Sequence, residues 1–265
     1  MKHLKEACAG CDEFRPDTNK EHVFPKWLIR RAKVTQIKWR GRWVSPMKAT
    51  IPLCENCNST FGSELELPCS RIFADLEAGR GISEFEADIL ARWMWKGLGL
   101  DWMARNPGIP YTPRYSLRER ALRPIDDMRS EITIAISLAE KVNLQYGGEA
   151  ATGFDSTNEV DAVFASGVFC RLALIASYRM FEGLIPDRFS KFQFSPRPNE
   201  LSMAKVWFPK TKTGFRDDDE AVGITKQASD LLSAQRDNFA LTLQRDPEIR
   251  QRGLRFTGRH GLDKS

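Results

Sequence analysis

The amino-acid sequence predicts an α+β protein: a metal-binding segment near the amino terminus, then a helical segment and a small mixed or antiparallel sheet. Three observations predict this class. Two Cys-x2-Cys pairs bracket the first segment, Cys8 with Cys11 and Cys54 with Cys57. A helix-capping pattern begins at Ser83, ahead of a long apolar stretch. Apolar residues alternate with small or polar residues over 132–138, which is typical of a strand.

The composition is that of a folded globular chain, with 265 residues, 42% hydrophobic and 28% charged. These values exclude a disordered chain, and the length allows one large domain or two modest ones. No apolar run of about 18 residues occurs, so no membrane span is expected. The first residues lack the apolar core of a signal peptide, so we expect a cytoplasmic protein without disulfides.

The two Cys-x2-Cys pairs are separated by 42 residues. Each pair places two thiolates at a tight turn, and two pairs complete the tetrahedral shell that zinc prefers. The gap exceeds that of a plain zinc ribbon, so a sizeable insertion is expected between the pairs. The remaining cysteines, Cys69 and Cys170, lie in apolar surroundings and are expected to be core residues.

Between the cysteine pairs, residues 36–44 predict a short hairpin with a two-residue turn. An extended stretch over 47–53 then leads to the second pair. A helix is expected to begin around Cys57 and Asn58, and Gly62 is a point where it can be interrupted.

The next segment is expected to be helical. Ser83 and Glu86 form a capping box that opens a helix to about Arg105. Its expected buried stripe consists of Phe85, Ile89, Leu90, Trp93 and Met94. Ser116 and Glu119 form a second capping box, which starts a helix toward Asp127.

Strand patterns follow. Residues 132–138 predict a strand with one buried face, and 203–208 predict another. The apolar stretch 160–176 fits either a bent strand or a strand that runs into a helix. Residues 226–244 predict an amphipathic helix, and the last twenty residues predict a loose basic tail.

Positive charge is concentrated in residues 23–53, which contain no Asp or Glu. The eight cations are Lys26, Arg30, Arg31, Lys33, Lys38, Arg40, Arg42 and Lys48. A solvated face is the ordinary explanation for such a run. Trp27, Trp39 and Trp43 interleave with the cations, however, and this mixture favours a site for a polyanion such as nucleic acid.

His22 follows Glu21 and directly precedes the basic segment. It could be a zinc ligand or a structural histidine, but four cysteines already complete a zinc shell. A carboxylate next to an imidazole also suits phosphodiester hydrolysis. The carboxylate can hold a divalent cation against the phosphate, and the imidazole can deprotonate a water molecule.

The first cysteine pair, the run Glu21-His22-Val23-Phe24-Pro25, and the second pair followed by Asn58 together resemble the HNH endonucleases. The resemblance covers residues 8 to about 66. It implies a ββα-metal fold on a treble-clef zinc site, with His22 as general base. It also implies that Glu21 and Asn58 hold a catalytic Mg²⁺ or another divalent cation. Cys8, Cys11, Cys54 and Cys57 would bind a structural zinc.

The chain departs from the family pattern at several positions. Many members have Asp at the position of Glu21, and none of residues 48–50 is the family's middle Asn. Ser45 and Thr50 are candidates to replace that Asn in orienting the histidine. Glu64 and Glu66 fit a solvated helix face better than a place in the metal shell.

The resulting hypothesis is a metal-dependent endonuclease that cleaves DNA, with RNA not excluded, in restriction or phage defence. The expected nucleic-acid contacts are Lys26, Arg30, Arg31, Lys38, Arg40, Arg42 and Lys48. The alternative is a non-catalytic treble-clef module that binds nucleic acid or an acidic protein. We expect a nuclease domain over 1–69 and a companion region over 70–265. The companion region would be helical over 70–130 and strand-containing over 131–210, with a helix and a basic tail over 211–265. A homodimer or a larger defence complex is a possible assembly.

Overall fold

The structure is a computed structural model of the chain, and it confirms the α+β class. It describes residues 7–33, 35–39, 42–105, 116–123, 132–141, 153–156, 163–169, 171–178, 183, 185–194, 205–207, 209–217, 220–221 and 223. The helices are Lys26–Ala32 (α1), Glu55–Phe61 (α2), Leu67–Glu77 (α3), Glu84–Arg105 (α4) and Leu117–Leu122 (α5). The strands are Asn19–His22 (β1), Ile37–Trp39 (β2), Arg42–Val44 (β3), Thr50–Leu53 (β4), Ile82–Ser83 (β5), Ile132–Lys141 (β6), Gly153–Ser156 (β7), Val163–Phe169 (β8), Leu172–Tyr178 (β9), Ser190–Gln193 (β10), Lys205–Trp207 (β11) and Lys210–Asp217 (β12).

The first segment is built on the antiparallel pair of β1 and β4, in which Asn19 lies opposite Leu53. The insertion predicted between the cysteine pairs consists of α1, a hairpin and a short 3-10 turn at Pro46–Lys48. The hairpin is β2 with β3, and Trp39 lies opposite Arg42 next to the turn. The predicted hairpin is therefore confirmed, and the predicted extended stretch 47–53 is strand only from Thr50 onward.

The helix after β4 begins earlier than predicted, at Glu55. Its start is fixed by Cys54, whose Sγ accepts the backbone N–H of Cys57 at 3.5 Å. The α-helix ends at Phe61 and Gly62 is its C-cap residue, so the regular helix is interrupted where predicted, although the backbone of Gly62 stays helical, with φ −60° and ψ −51°. The chain continues through a wide π-type turn at Gly62–Glu66 directly into α3.

The capping box that opens α4 is confirmed. The Glu86 carboxylate accepts the backbone N–H of Ser83 at 2.7 Å, and the Ser83 hydroxyl accepts the N–H of Glu86 at 3.2 Å. The helix ends at Arg105, as predicted. Four of the expected core residues are buried, namely Ile89, Leu90, Trp93 and Met94. Phe85 is 39% exposed instead, because the enclosed part of the helix begins only at Ala87.

The second capping box is also confirmed, with Ser116 and Glu119 bonded reciprocally. The helix that it opens, α5, is shorter than predicted and ends at Leu122. Residues 124–131, which include the predicted end at Asp127, lie outside the described part of the chain.

Six strands form one mixed sheet. β10, β6, β9, β8 and β7 are antiparallel neighbours in that order, and β12 runs parallel to β6. β9 occupies one edge of β6, while β10 and β12 share the other edge. The prediction of one buried face for 132–138 is wrong, since Thr133, Ala135 and Ser137 are buried as well as the alternating isoleucines. The reason is that β6 lies inside the sheet and both sheet faces are covered there.

The apolar stretch 160–176 is neither of the two predicted forms. It contains two antiparallel strands, β8 and β9, with Phe169 opposite Leu172 across the turn. Of the strand predicted at 203–208, Lys205–Trp207 forms β11, which pairs with β5. The predicted helix over 226–244, the predicted basic tail and Cys170 lie outside the described residues.

One continuous apolar core extends from the cysteine pairs to the sheet. A chain of aromatic rings joins the first segment to the sheet. The ring centroids of Trp27 and Phe73 lie 5.1 Å apart, and those of Phe73 and Trp93 lie 5.2 Å apart. Trp93 in turn lies 5.7 Å from Phe169 on β8. Cys69 is a buried core residue, as predicted. The expected domain boundary after residue 69 falls inside α3. None of the described helices combines the length and the apolarity needed to cross a membrane.

Candidate functional site

The four cysteines of the two pairs form one cluster. The Sγ atoms of Cys8, Cys11, Cys54 and Cys57 all lie within 4.8 Å of one another. Three of the residues are buried and Cys11 is half-buried. Four converging thiol groups are the donor set that tetrahedral zinc takes, so the cluster could hold a metal ion such as zinc.

The turn that carries the first pair is tight. The N–H of Asp12 donates to the Cys8 carbonyl at 2.8 Å, and Asp12 adopts a left-handed φ of 60°. Gly10 lies against the second pair. A Cβ at position 10 would lie 2.8 Å from both the Cβ and the Sγ of Cys57, which is closer than real Cβ contacts come. A residue without a side chain is therefore required there.

Hydrogen bonds converge on the sulfur of Cys8. The backbone N–H of Gly10 donates to it at 3.3 Å and that of Cys54 at 3.2 Å. A hydrogen bond from the Cys57 thiol, together with these backbone donors, lowers the pKa of Cys8 to about 4. The same bond raises the pKa of the donating Cys57 thiol. These hydrogen bonds favour the thiolate form of Cys8, and the thiolate is the form that binds metals.

A helix from the predicted companion region contacts the cysteine turn. The backbone N–H of Arg118, at the start of α5, donates to the Gly10 carbonyl at 2.7 Å. The Arg118 guanidinium also reaches the Asn56 Oδ1 on α2 at 3.5 Å. Sequence reasoning missed this contact, because nothing in the pattern around residue 118 indicates a partner more than a hundred residues earlier.

Glu21 and His22 are the last two residues of β1, and both are half-buried. Glu21 lies opposite Ile51 and His22 lies opposite Thr50 on β4. Because side chains alternate along a strand, Glu21 shares a strand face with Ile51 and His22 shares the other face with Thr50. The Nδ1 atom of His22 is buried and has no hydrogen-bond partner among the described residues.

Asn58 lies in the first turn of α2, directly after Cys57, and is half-buried. Its backbone N–H donates to the Cys54 carbonyl at 3.0 Å. Within the described residues, no hydrogen bond joins the side chains of Glu21, His22 and Asn58. The antiparallel strands and the helix that follows β4 carry all three residues on one ββα unit.

The two candidate substitutes for the family's middle Asn occupy different places. Thr50 is the cross-strand neighbour of His22. Ser45 precedes the 3-10 turn, and its carbonyl accepts the N–H of Lys48 at 2.8 Å. The glutamates that follow α2 also differ: Glu64 is exposed, while Glu66 forms an ion pair with the buried Lys96.

Five of the eight cations in the basic segment are exposed, namely Lys26, Arg30, Lys33, Arg42 and Lys48. Arg31 is half-buried and pairs with Glu77 on α3, a partner that sequence reasoning missed. The side chain of Lys38 and the whole of Arg40 lie outside the described part. The three tryptophans also separate: Trp27 is in the aromatic core, Trp39 packs against the core, and Trp43 is 56% exposed.

Comparison of the chain with family models, curated proteins and solved structures gives no match.

Proposed function

We propose that this protein is a metal-dependent endonuclease of the HNH type that hydrolyses phosphodiester bonds in DNA. The observation that carries the proposal is the unit formed by β1, β4 and α2. It places Glu21 and His22 at the end of one strand, leads the paired strand into the helix of Asn58, and is closed by the cysteine cluster. This order of parts is what the resemblance to HNH endonucleases implies.

In this proposal the cysteine cluster holds a structural zinc in a treble clef. The clustering of the four sulfur atoms and the amide donors around Cys8 support it. Metal binding would fix the turn of the first pair to the end of β4 and the first turn of α2. The zinc therefore contributes to folding of the ββα unit rather than to the reaction.

His22 serves as the general base in the proposed reaction. The imidazole of His22 is half-buried, and an imidazole nitrogen can take a proton from a water molecule. Thr50 lies directly across from His22, and in this proposal it takes over from the family's Asn the role of orienting the ring. When bound by Glu21 and Asn58, a divalent cation would stabilise the charge that develops on the phosphate.

The exposed cations of the basic segment hold the nucleic-acid backbone in this proposal. Phosphate contacts supply affinity without reading sequence, so the segment does not define a target. Restriction or phage defence, as a homodimer or within a larger complex, is the biological setting that we propose for the activity.

One observation favours the alternative of a non-catalytic module that binds nucleic acid. Glu21 and His22 are adjacent on β1 and therefore leave the strand on opposite faces. In this alternative His22 packs against its neighbours, and the cysteine cluster and the exposed cations carry the function.

Plasmid cleavage tests the proposal. Zinc-loaded protein is incubated with supercoiled plasmid in Mg²⁺, in Mn²⁺ and without added divalent cation. The His22→Ala variant is compared with Lys20→Ala, which changes an exposed residue on the same strand face. We expect cation-dependent cleavage by the wild type and Lys20→Ala, with at least a hundredfold loss in His22→Ala, in line with a lost general base. Equal behaviour of all three proteins, with DNA binding retained, would overturn the proposal in favour of the binding module.

A further inference from the structure

Trp43 differs from the other tryptophans whose side chains the structure describes. Trp93 and Trp95 are buried in α4, Trp27 contacts their core through aromatic rings, and Trp39 packs against the same core. Trp43 is 56% exposed on a strand of only three residues. Indole is a large apolar ring with a polar N–H, and its exposure on the hairpin makes its face available to a partner.

The register of the hairpin explains why Trp43 is exposed. Trp39 lies opposite Arg42, and Lys38 lies opposite Trp43. Cross-strand partners share a face and neighbouring residues alternate, so Trp39 and Trp43 belong to opposite faces of the hairpin. Since Trp39 packs against the core, the face of Trp43 is directed away from it.

The residues that flank Trp43 in the chain favour an anionic partner. Arg42 precedes it and Lys48 follows it, and both are exposed, although the register places Arg42 on the Trp39 face of the hairpin. No carboxylate pairs with either of them in the part of the chain that the structure describes. Residues 23–53 contain no Asp or Glu at all. Met47, between these positions, is 43% exposed and adds apolar surface. Exposed aromatic and apolar surface among unpaired cations is the combination that binds single-stranded nucleic acid, through base stacking and phosphate contacts.

We propose that the hairpin of β2 and β3 forms a stacking platform, in which Trp43 stacks on an unpaired base. The phosphates on either side of that base would be held by the exposed cations that precede and follow Trp43 in the chain, Arg42 and Lys48. This inference rests on the proposed function in taking nucleic acid as the partner, and it names single-stranded or locally unpaired strands as the preferred form. In a duplex the base faces are covered by their neighbours, so a ring at the surface finds a free base face only where pairing is interrupted. A side chain that inserts between stacked base pairs must project well beyond the protein surface. Trp43 is only 56% exposed, so its position favours stacking on a base that is already unpaired.

Binding without cleavage tests this inference. In the His22→Ala background, without divalent cations, the affinity of zinc-loaded protein is measured for a labelled thymidine 20-mer and for a 20-base-pair duplex. The variants are Trp43→Ala and Trp43→Phe, and Phe14→Ala is the matched control. Phe14 is 72% exposed but lies between Glu13 and Arg15, which pair with each other.

We expect Trp43→Ala to weaken binding of the 20-mer by about 5- to 100-fold, in line with the loss of one stacked base. Trp43→Phe should stay within about threefold of the parent, because phenylalanine keeps an aromatic face. Phe14→Ala should change neither affinity, and duplex binding should be unchanged in all variants. Quenching of indole fluorescence by the 20-mer should be reduced in Trp43→Phe relative to the parent.

Unchanged affinity of Trp43→Ala for the 20-mer, or an equal loss on the 20-mer and the duplex, would overturn the inference. Thermal unfolding of each variant separates a lost contact from a lost fold. The two proposals also fail separately. Binding that depends on Trp43 in a protein that never cleaves plasmid supports the platform and removes the nuclease. Plasmid cleavage together with binding that does not depend on Trp43 supports the nuclease and removes the platform.

Discussion

The backbone N–H of Arg118 donates to the carbonyl of Gly10, a residue between the first two cysteines that lies against Cys57 of the second pair. Arg118 lies in the first turn of α5, where Glu119 accepts hydrogen bonds from the backbone and the hydroxyl of Ser116. The helix that covers the cysteine turn therefore depends on a capping box. Metal retention and the capping of α5 should be coupled.

The capping box should make the hydrogen bond between Arg118 and Gly10 depend on pH. The hydrogen bonds from Ser116 lower the pKa of the Glu119 carboxyl below its usual value. A carboxyl with a lowered pKa stabilises the folded state above its unfolded pKa, and the contribution is lost as the pH falls through the folded value. We expect hydrogen exchange of the Arg118 amide to be faster in Glu119→Gln than in the wild type at pH 7. The two rates should converge at acid pH, once the pH has fallen through the lowered pKa of Glu119 and the carboxyl is protonated.

Comparison of Glu119→Gln with the wild type at each pH separates loss of the capping box from general destabilisation of the protein by acid. Glu64→Gln changes an exposed glutamate on the π-type turn and serves as the control, which should exchange as the wild type does. An exchange rate in Glu119→Gln equal to that of the wild type at pH 7 would show that the cap does not hold α5 in place.

The cysteine cluster predicts one zinc per chain. We expect Cys54→Ser to lose the metal and to unfold at a lower temperature, because a structural zinc supplies folding free energy directly. Cys69→Ala is the matched control, since Cys69 is also buried but lies outside the cluster. It should keep its zinc and lose only the small stabilisation of a filled core. Elemental analysis with thermal unfolding measures both effects. Folded wild-type protein without zinc would contradict the prediction.

Two glycines close to the second cysteine pair are expected to respond oppositely to alanine. Gly10→Ala would place a Cβ 2.8 Å from the Cys57 sulfur, so we expect weaker zinc binding and lower stability. Gly62 is helical, and nothing lies within 4 Å of its would-be Cβ. Gly62→Ala should therefore stabilise the protein by about 0.5–1 kcal/mol, because alanine favours a helix. Competition with a chelator and denaturant unfolding measure these changes. Equal effects in the two variants would contradict the assigned geometry.

The two partners of the Lys96–Glu66 ion pair should differ in how much the free energy of unfolding falls when each is replaced. The Lys96 side chain is only 4% exposed, whereas the Glu66 side chain is 24% exposed. Glu66→Ala leaves an ammonium group buried without its partner, and we expect a cost of about 3–5 kcal/mol. Lys96→Met keeps the packing volume and leaves a carboxylate that water can reach, so its cost should be less than half as large. Urea unfolding compares the variants. A larger loss in Lys96→Met would contradict this account.

The basic segment should contain two kinds of cation, exposed ones that bind phosphate and one that stabilises the fold. Arg42 and Lys48 are exposed, so we expect the double variant Arg42→Gln, Lys48→Gln to weaken duplex binding. The slope of log K against log salt should fall by about 0.9 for each lost phosphate contact. Arg31 pairs with Glu77, so Arg31→Gln should lower stability and leave the slope unchanged. Titrations at several salt concentrations measure the slopes. A slope that changes in Arg31→Gln but not in the double variant would place the nucleic acid elsewhere.

Features set by neighbouring residues could be predicted from the sequence. The reciprocal bonds of Ser83 with Glu86 depend on a spacing of three residues, and the pairing of β2 with β3 depends on two strand-forming runs that only two residues separate. The gathering of the four cysteines followed from zinc chemistry, although their separation is long. The roles assigned to Glu21, His22 and Asn58 remain predictions.

Features set by distant packing could not be predicted. The boundary between β8 and β9 was hidden because residues 167–169 and 172–177, on its two sides, are buried and mostly apolar. Phe85 shares the spacing of its buried neighbours, yet only the enclosure of α4 by other elements decides its exposure. The pairing of Arg31 with Glu77 likewise depends on where α1 packs on α3, which no local pattern indicates.

The position of α3 bears on how such a protein could have been assembled in evolution. Phe73 lies after residue 69 and contacts Trp27 from the first segment, Trp93 from α4 and Phe169 from the sheet. A protein in which residues 1–69 were joined to another scaffold would lack Phe73, the aromatic partner of Trp27, and would expose apolar surface to water. We therefore expect the amino-terminal unit to depend for its stability on α3, α4 and the sheet that pack against it.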